Sequence, residues 1–390
     1  MEDKSIYRLI ETFCLSDSLE CYDPYDVWMT DFGIRVKQLY NTNALLGLIP
    51  AAVVTIWDQF FNNTLRIGYK KQEYPTARAT AALALLNLYE KNQKEEYLVF
   101  ARKHINWLLD HSCKGYSGLC WGLGFKWAAG DGLDYDENTP FSTHTPYVLE
   151  ALHKYVEVTG DVTYISQIKS VFEFYENDIQ TMYEDDESLA TSYGPEKDRL
   201  VTNAVSYTLY AYTIFLHYFP EKEAELSHKI RKLFTFIRNK QRSDGSWLYE
   251  PENPDSFIDC FHSCFILKNL YKANRAVALS GCSDLVNLGY QYIKANFYTS
   301  NHQLFKRFTL SNKPSIIKFD LYDNAEMLHL AILLDDATMV SNLHSTIGRK
   351  FVVKNGVYSA IDILNSRGNK NTLRWAVMPY LHALSAMNTY

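Results

Sequence analysis

Residues 143–179 read THTPYVLEALHKYVEV, TGD and VTYISQIKSVFEFYENDI. Apolar side chains recur every three or four positions on both sides of Thr159-Gly160-Asp161, the spacing of helices with one face in a core. Gly160 is a helix stop and Asp161 a new start. A helical hairpin is therefore predicted, and the pattern recurs along the chain. Residues 75–91 pair with 93–110, and 201–219 pair with 222–240 across Pro220. Residues 255–273 pair with 282–297, and 322–334 pair with 336–350 across Asp335-Asp336. A helix at about 43–62 has no partner before it, and one at about 371–388 has none after it. Pairing those two closes a ring of six hairpins.

The segments between hairpins, 111–142, 180–200, 241–254, 298–321 and 351–370, carry Gly, Trp and Asp. Hairpins recur every 55–70 residues or so, wider than the ~34–47 of open helical solenoids. Strand-like runs are few. The predicted class is all-α, an (α/α)6 toroid of helical hairpins with long loops at one end; an open superhelix is the alternative. No Gly/Ser/Pro-rich linker divides the chain. One domain over 1–390 is expected, with about 1–42 as an N-terminal extension packed on the ring.

The formal net charge of −6 excludes a nucleic-acid groove as the main business, because counterion release needs clustered Lys and Arg. Apolar residues at 47% and charged residues at 22% exclude disorder for most of the chain. Aromatic residues at 15% suit both a large helical core and a sugar- or isoprenoid-binding cavity. Met1 to Glu11 has early charges and no apolar core, unlike a secretory signal. Ala44 to Phe61 is interrupted by Pro50 and Asp58 and is read as too short for a membrane span. Seven scattered cysteines form no regular framework, so reduced thiols and a cytoplasmic location are expected.

In such a toroid the helix after each long loop is an inner one, and its first turn faces the mouth. Those turns hold Tyr74 and Arg78; His144 and Thr145; Asn203 and Ser206; Asp259 and His262; Asp323, Asn324 and Glu326; Arg374 and Trp375. Polar groups on otherwise apolar helices are costly in a closed core. Some are N-caps, Asp323 first among them, but capping does not explain His262, Glu326 or Arg374.

Gln241-Arg242-Ser243-Asp244-Gly245-Ser246-Trp247 resembles the Q-x-x-D-G-S-W repeat of squalene cyclases and the prenyltransferase β-subunit. Phe257 to Phe265 (FIDCFHSCF) resembles the I-D-x-F-H-[ST]-x-F segment of VpsJ-like α/α-toroid proteins from bacterial surface-polysaccharide gene clusters. Cys120 to Trp127, Asn138 to Leu152, and Val201 to Ala204 resemble further segments of that group. The resemblance covers about 100–390. It implies bacterial capsule, O-antigen or exopolysaccharide biosynthesis. A glycan or lipid-linked sugar would be the substrate, with peripheral association to a membrane-bound assembly system. The family loop W-G-x-P-F-D-W departs here: Lys126 stands where the family has Asp. Asp131, Asp134 or Asp136 would have to substitute for it.

Asp259 and His262 lie three apart and share a helix face, a spacing suited to general acid/base work on a sugar. A structural polar pair is the competing reading. Hydrolysis needs two carboxylates, and Asp259 with Glu326 or Asp136 is the expected pair. Elimination or epimerisation would use His262 or Tyr193 as base, with Arg374 neutralising a substrate carboxylate. Arg374 could instead pair with Glu326. Trp121, Phe125, Trp127, Tyr193 and Trp247 are expected to stack on sugar rings or isoprenoid chains, Arg374 with Trp375 to hold an anionic substrate group, and His144 and Asn203 to line the site. Adjacent Asp259 and Cys260 point about 100° apart on a helix, so no metal site is expected. No Walker, dinucleotide or nucleophile-elbow motif is present, so no cofactor is expected. The rival classes are a non-catalytic glycan-binding or assembly protein and, third, a prenyl-group enzyme.

Overall fold

The structure is a computed structural model that describes residues 3–130, 133–196, 199–311, 315–353 and 356–387. Its helices are α1 (Asp3–Cys14), α2 (Asp31–Thr42), α3 (Ala44–Trp57), α4 (Pro75–Asn92), α5 (Glu95–Asp110), α6 (Thr145–Thr159) and α7 (Ile165–Asn177). They continue with α8 (Thr202–Phe215), α9 (Glu223–Asn239), α10 (Cys260–Ala276), α11 (Cys282–Asn296), α12 (Leu321–Leu333), α13 (Ala337–Lys350) and α14 (Met378–Ala386). Helices α4, α6, α8, α10, α12 and α14 each contact the next, and α14 returns to α4. That closed inner ring, with α5, α7, α9, α11 and α13 outside it, is the predicted α/α toroid.

Burial explains which helix goes where. Every residue of α8 from Thr202 to Phe215 is buried, as an inner helix requires. Helix α9 buries Leu226, Ile230, Leu233, Phe236 and Ile237 on one stripe, as an outer helix requires. Gly160 ends α6 in the left-handed conformation (φ 69°), and Asp161 accepts a hydrogen bond from the Thr163 N–H. The joint read from the sequence therefore forms as expected.

Three expectations are corrected. The outer partner of α14 is α1, which contacts both α14 and α4, not the helix at 43–62. That helix packs on α2 instead and stands away from the ring. Helical structure runs unbroken from Ala44 to Leu65, long and apolar enough to cross a membrane. Pro50 lies within α3 rather than ending it, and Asp58 opens a π-helical turn. The N-cap of α12 is Asp320, whose side chain accepts from the Tyr322 N–H; Asp323 is inside the helix.

The long loops hold short antiparallel pairs, among them Gly356–Asp362 with Arg367–Lys370 and with Ile317–Asp320. The Asp244-Gly245 turn needs glycine: φ is +94°, and a Cβ there would lie 2.6 Å from the Leu288 carbonyl oxygen. Trp247 is then buried between hairpins. Its Nε1–H donates to the Ile237 carbonyl at 2.9 Å, and its ring lies against Gly289 of α11. Trp247 is thus a core residue, not the sugar platform the sequence suggested. Trp247→Ala is expected to destabilise the fold by about 3–5 kcal/mol, measured as a lower midpoint in denaturant unfolding.

Candidate functional site

The loop end of the ring encloses a cavity of about 270 Å³. Its wall is mostly aromatic. Trp127 arrives on a two-residue strand paired with Asp134–Tyr135. Tyr193 and Tyr249 come from the loops before α8 and α10, and Trp375 from the turn before α14. Trp375 stacks on Tyr322, with centroids 4.4 Å apart and planes at 20°. The first turns of the inner helices bring His144, Asn203, His262 and Arg374 into the same wall.

Asp259 is the N-cap of α10, and its carboxylate accepts from the His262 N–H at 3.1 Å. The same carboxylate lies 2.7 and 2.9 Å from His262 Nδ1. One buried acid therefore starts the helix and orients the imidazole. Facing two acceptor oxygens, Nδ1 carries the proton, which leaves Nε2 as the basic nitrogen. Among the described residues no protein group hydrogen-bonds Nε2. Asp259 stays behind the imidazole, outside the cavity wall.

Arg374 is held by Asp23 of the N-terminal segment through two 2.7 Å hydrogen bonds. That bidentate pair replaces the alternative pairing with Glu326. The backbone after Arg374 is strained: Ala376 has φ 85°, a region costly for a residue with a Cβ. This turn aims Arg374 and Trp375 at the mouth. Burial and the nearby Arg374 charge push the His144 imidazole down to about 3, so it is neutral near pH 7.

The floor is the Tyr147–Tyr207 hydroxyl pair, 2.8 Å apart. Below it lies a small chamber where Lys268 pairs with Glu326 and Lys272 with Glu150, beside His329 and His382. Glu326 is therefore a buried ion-pair partner in the chamber, not a mouth carboxylate beside Asp259. Asp136 is exposed on a turn, where its carboxylate accepts from the Asn138 N–H at 3.4 Å. The expected hydrolytic pairs thus do not converge. Asp134 is exposed and bonded to Gln38 at 2.5 Å, and Asp131 lies outside the described residues. Lys126 is exposed and does not line the cavity.

Trp121 is fully buried, with Nε1–H donating to the Leu108 carbonyl at 2.8 Å. It is core, again not a sugar platform. Of the other first-turn groups, Arg78 bonds Glu73 and His104, and Asp323 pairs with Arg307. Cys260 is buried, with Sγ turned to the Asp323 carbonyl. Among the described residues no carboxylate lines the cavity; its ionisable groups are His144, His262, Arg199, Arg374 and tyrosines.

Sequence reasoning missed Tyr147, Tyr207 and Phe265, which lie three or four residues beyond His144, Asn203 and His262. Reading one helical turn deeper on the same face finds them. It also missed Arg199, which pairs with Glu250 at 3.0 Å, and Tyr25. Tyr25 comes from the N-terminal segment, and no pattern in the sequence marks it.

No protein-family model matches the sequence, and no curated protein matches it. Solved structures do match the fold. A cellobiose 2-epimerase from Bacillus thermoamylovorans superposes with a TM-score of 0.61 at 12% identity, covering 80% of this chain and 87% of that one. A sugar epimerase from a ruminal bacterium gives 0.59 at 11% identity, covering 82% and 89%. A GH76 alpha-mannanase from Bacteroides thetaiotaomicron gives 0.56 at 12% identity, covering 93% and 98%. The chain has the α/α-toroid fold of carbohydrate enzymes. At these identities the likeness is one of fold.

Desolvated neutral imidazoles give this toroid a defined acid response. Burial is the largest cause in each case and holds His104 at about 4, and His144 and His382 at about 3. The unfolded chain takes up these protons near pH 6.5, whereas the folded chain does not. Their stability contribution is therefore full above about pH 6.5 and is lost as pH falls toward 3. Urea midpoints measured from pH 7 to pH 4 should decline, with a shallower decline in His144→Asn.

Proposed function

We propose that the protein is a carbohydrate-active enzyme that performs proton-transfer chemistry, epimerisation or elimination, on a sugar held in the aromatic mouth. One observation carries this reading: His262, clamped at Nδ1 by buried Asp259, has an open Nε2 in a wall without a carboxylate among the described residues. Nε2 takes a proton from the carbon beside a carbonyl or carboxylate group. Return of a proton from solvent to the opposite face, with the proton on Nε2 passing to solvent, gives the epimer; departure of a β-substituent with the proton from Nε2 gives the unsaturated sugar. Two-carboxylate hydrolysis lacks its groups here. Trp127, Tyr193, Tyr249 and Trp375 supply flat faces for the ring. The Oδ1 of Asn203 is buried without a protein partner among the described residues, an acceptor that a sugar hydroxyl satisfies. The fold likeness to sugar epimerases supports the same class. The motif resemblance supports a substrate from bacterial surface-polysaccharide biosynthesis, a glycan or lipid-linked sugar.

A second reading, glycan binding without turnover, is favoured by the pairing of both mouth arginines, Arg199 with Glu250 and Arg374 with Asp23. The two separate in one experiment. Neutral and uronate oligosaccharides and nucleotide sugars are incubated in deuterium oxide, and deuterium incorporation and unsaturated products are followed. Turnover is expected, with His262→Ala lowering it by about 10²–10⁴-fold while ligand affinity holds. Asp259→Asn should also slow turnover and shift its pH profile, since it removes the partner that sets the imidazole tautomer. Exchange that survives His262→Ala overturns the assignment of the base. Binding without exchange in wild-type protein promotes the second reading.

A further inference from the structure

We propose that the α2–α3 hairpin is a membrane-docking element that seats the protein on a bilayer with anionic headgroups, its cavity mouth beside the lipid surface. The inference stands on the surface of the hairpin and does not depend on the chemistry proposed for His262.

Helix α3 and its continuation to Leu65 are apolar yet uncovered: 11% of the most apolar 18-residue window is buried. The buried stripe is narrow, Gly47, Val54, Asp58 and Asn62. Gly47 makes it close, since a Cβ there would sit 2.2 Å from the Tyr40 Cα. Around the rest of the helix, Leu45 is 88% exposed and Ile49 72%, with Leu46, Val53, Phe61 and Leu65 also in the open. Lone exposed apolar residues are ordinary, but a contiguous set of this kind marks an interaction surface.

Three features commit the surface to a bilayer. First, its shape is a ridge exposed on most of its circumference. A flat protein partner covers one side of a ridge, whereas lipid closes around it. Second, Asp58 is the one ionisable residue between Ala44 and Leu65, and it is buried with Tyr69 bonded to it at 2.5 Å. The exposed part of the stretch therefore carries no charge to desolvate. Third, between Asp31 and Lys71 the exposed charged residues are Arg35, Lys70 and Lys71 against the single acid Asp31. That rim complements anionic headgroups.

The helix is tied down along its polar stripe. Asn63 exchanges hydrogen bonds with Asn369 at 2.9 and 2.8 Å. It therefore lies in the interface plane, apolar face down, rather than crossing the bilayer. Helix α2 carries the docking to the mouth. Gln38 bonds Asp134 at 2.5 Å, and Lys37 Nζ lies 3.0 Å above the ring of Trp127, a cavity residue. A glycan presented from the bilayer surface would arrive at the opening.

The test is flotation of the full chain with phosphatidylcholine vesicles, with and without phosphatidylglycerol, alongside its molar mass by light scattering. Wild-type protein should float, more with phosphatidylglycerol and less in high salt. The triple variant Leu45→Asp/Ile49→Asp/Val53→Asp should lose at least about tenfold of the bound fraction. Its melting temperature should be unchanged, because all three side chains are exposed. Wild-type protein that floats with neither vesicle overturns the proposal, as does flotation that survives the triple variant. A wild-type dimer that does not float, and that the variant splits into monomers, assigns the ridge to a second copy and also overturns it.

Discussion

A helix apolar on every side must be covered on every side, and six such helices satisfy one another by closing a ring. Most of this protein follows from that constraint. Inside the ring a polar group has two tolerable places: the open mouth, or a partner of opposite charge. The inner helices use both, in two layers split by the Tyr147–Tyr207 pair. His144, Asn203, His262 and Arg374 take the mouth. Glu150, Lys268, Lys272 and Glu326 take the chamber, where they neutralise one another. Removing one member of such a buried pair costs about 3–5 kcal/mol, because the other charge is left unpaired. The chamber pairs thus tie α10 to α12 and to α6.

The mouth is assembled by economies of the same kind. Asp259 caps α10 and faces Nδ1 of His262, so the start of the helix and the orientation of the imidazole share one carboxylate. Asp23 comes from the N-terminal segment and Arg374 from the last inner turn. Their bidentate pair ties the two ends of the chain together. The positive φ of Ala376 is the local strain that this arrangement holds in place. Helix α1 completes the outer ring beside the same seam. The N-terminal segment therefore takes part both in ring closure and in the mouth.

The same apolar composition has opposite fates in α8 and α3. Helix α8 is enclosed by its neighbours, whereas α3 is left as a ridge beside the mouth. Hydrophobicity states that a helix needs cover; it does not say whether protein or lipid provides it. Sequence reading took Pro50 and Asp58 as breaks in this stretch. Proline is tolerated where the helix face it disrupts is open, and Asp58 turns inward to Tyr69.

The toroid was legible in the sequence because helix period, stop signals and loop spacing are local properties that recur over five hairpins. The Asp259–His262 contact was legible for a related reason: the two residues meet through a three-residue offset. Trp121 and Trp247 were misjudged as sugar platforms because a loop position does not show which way an indole turns. Both place Nε1–H on a backbone carbonyl in the core. Glu326 was misjudged for want of depth: Lys268, its partner, is fifty-eight residues away and waits one layer below the mouth. Asp23, Tyr25 and α1 were invisible as parts of the site and the ring, since their partners lie at the far end of the chain. What the sequence determined alone was set by neighbours within a helical turn or two: the helices of the five hairpins from 75 to 350, their inner or outer character, and the Asp259–His262 pair. The tertiary structure alone decided which acids pair, which aromatics face the cavity and which apolar helix stays bare. Those outcomes depend on contacts across hundreds of residues that no local spacing encodes.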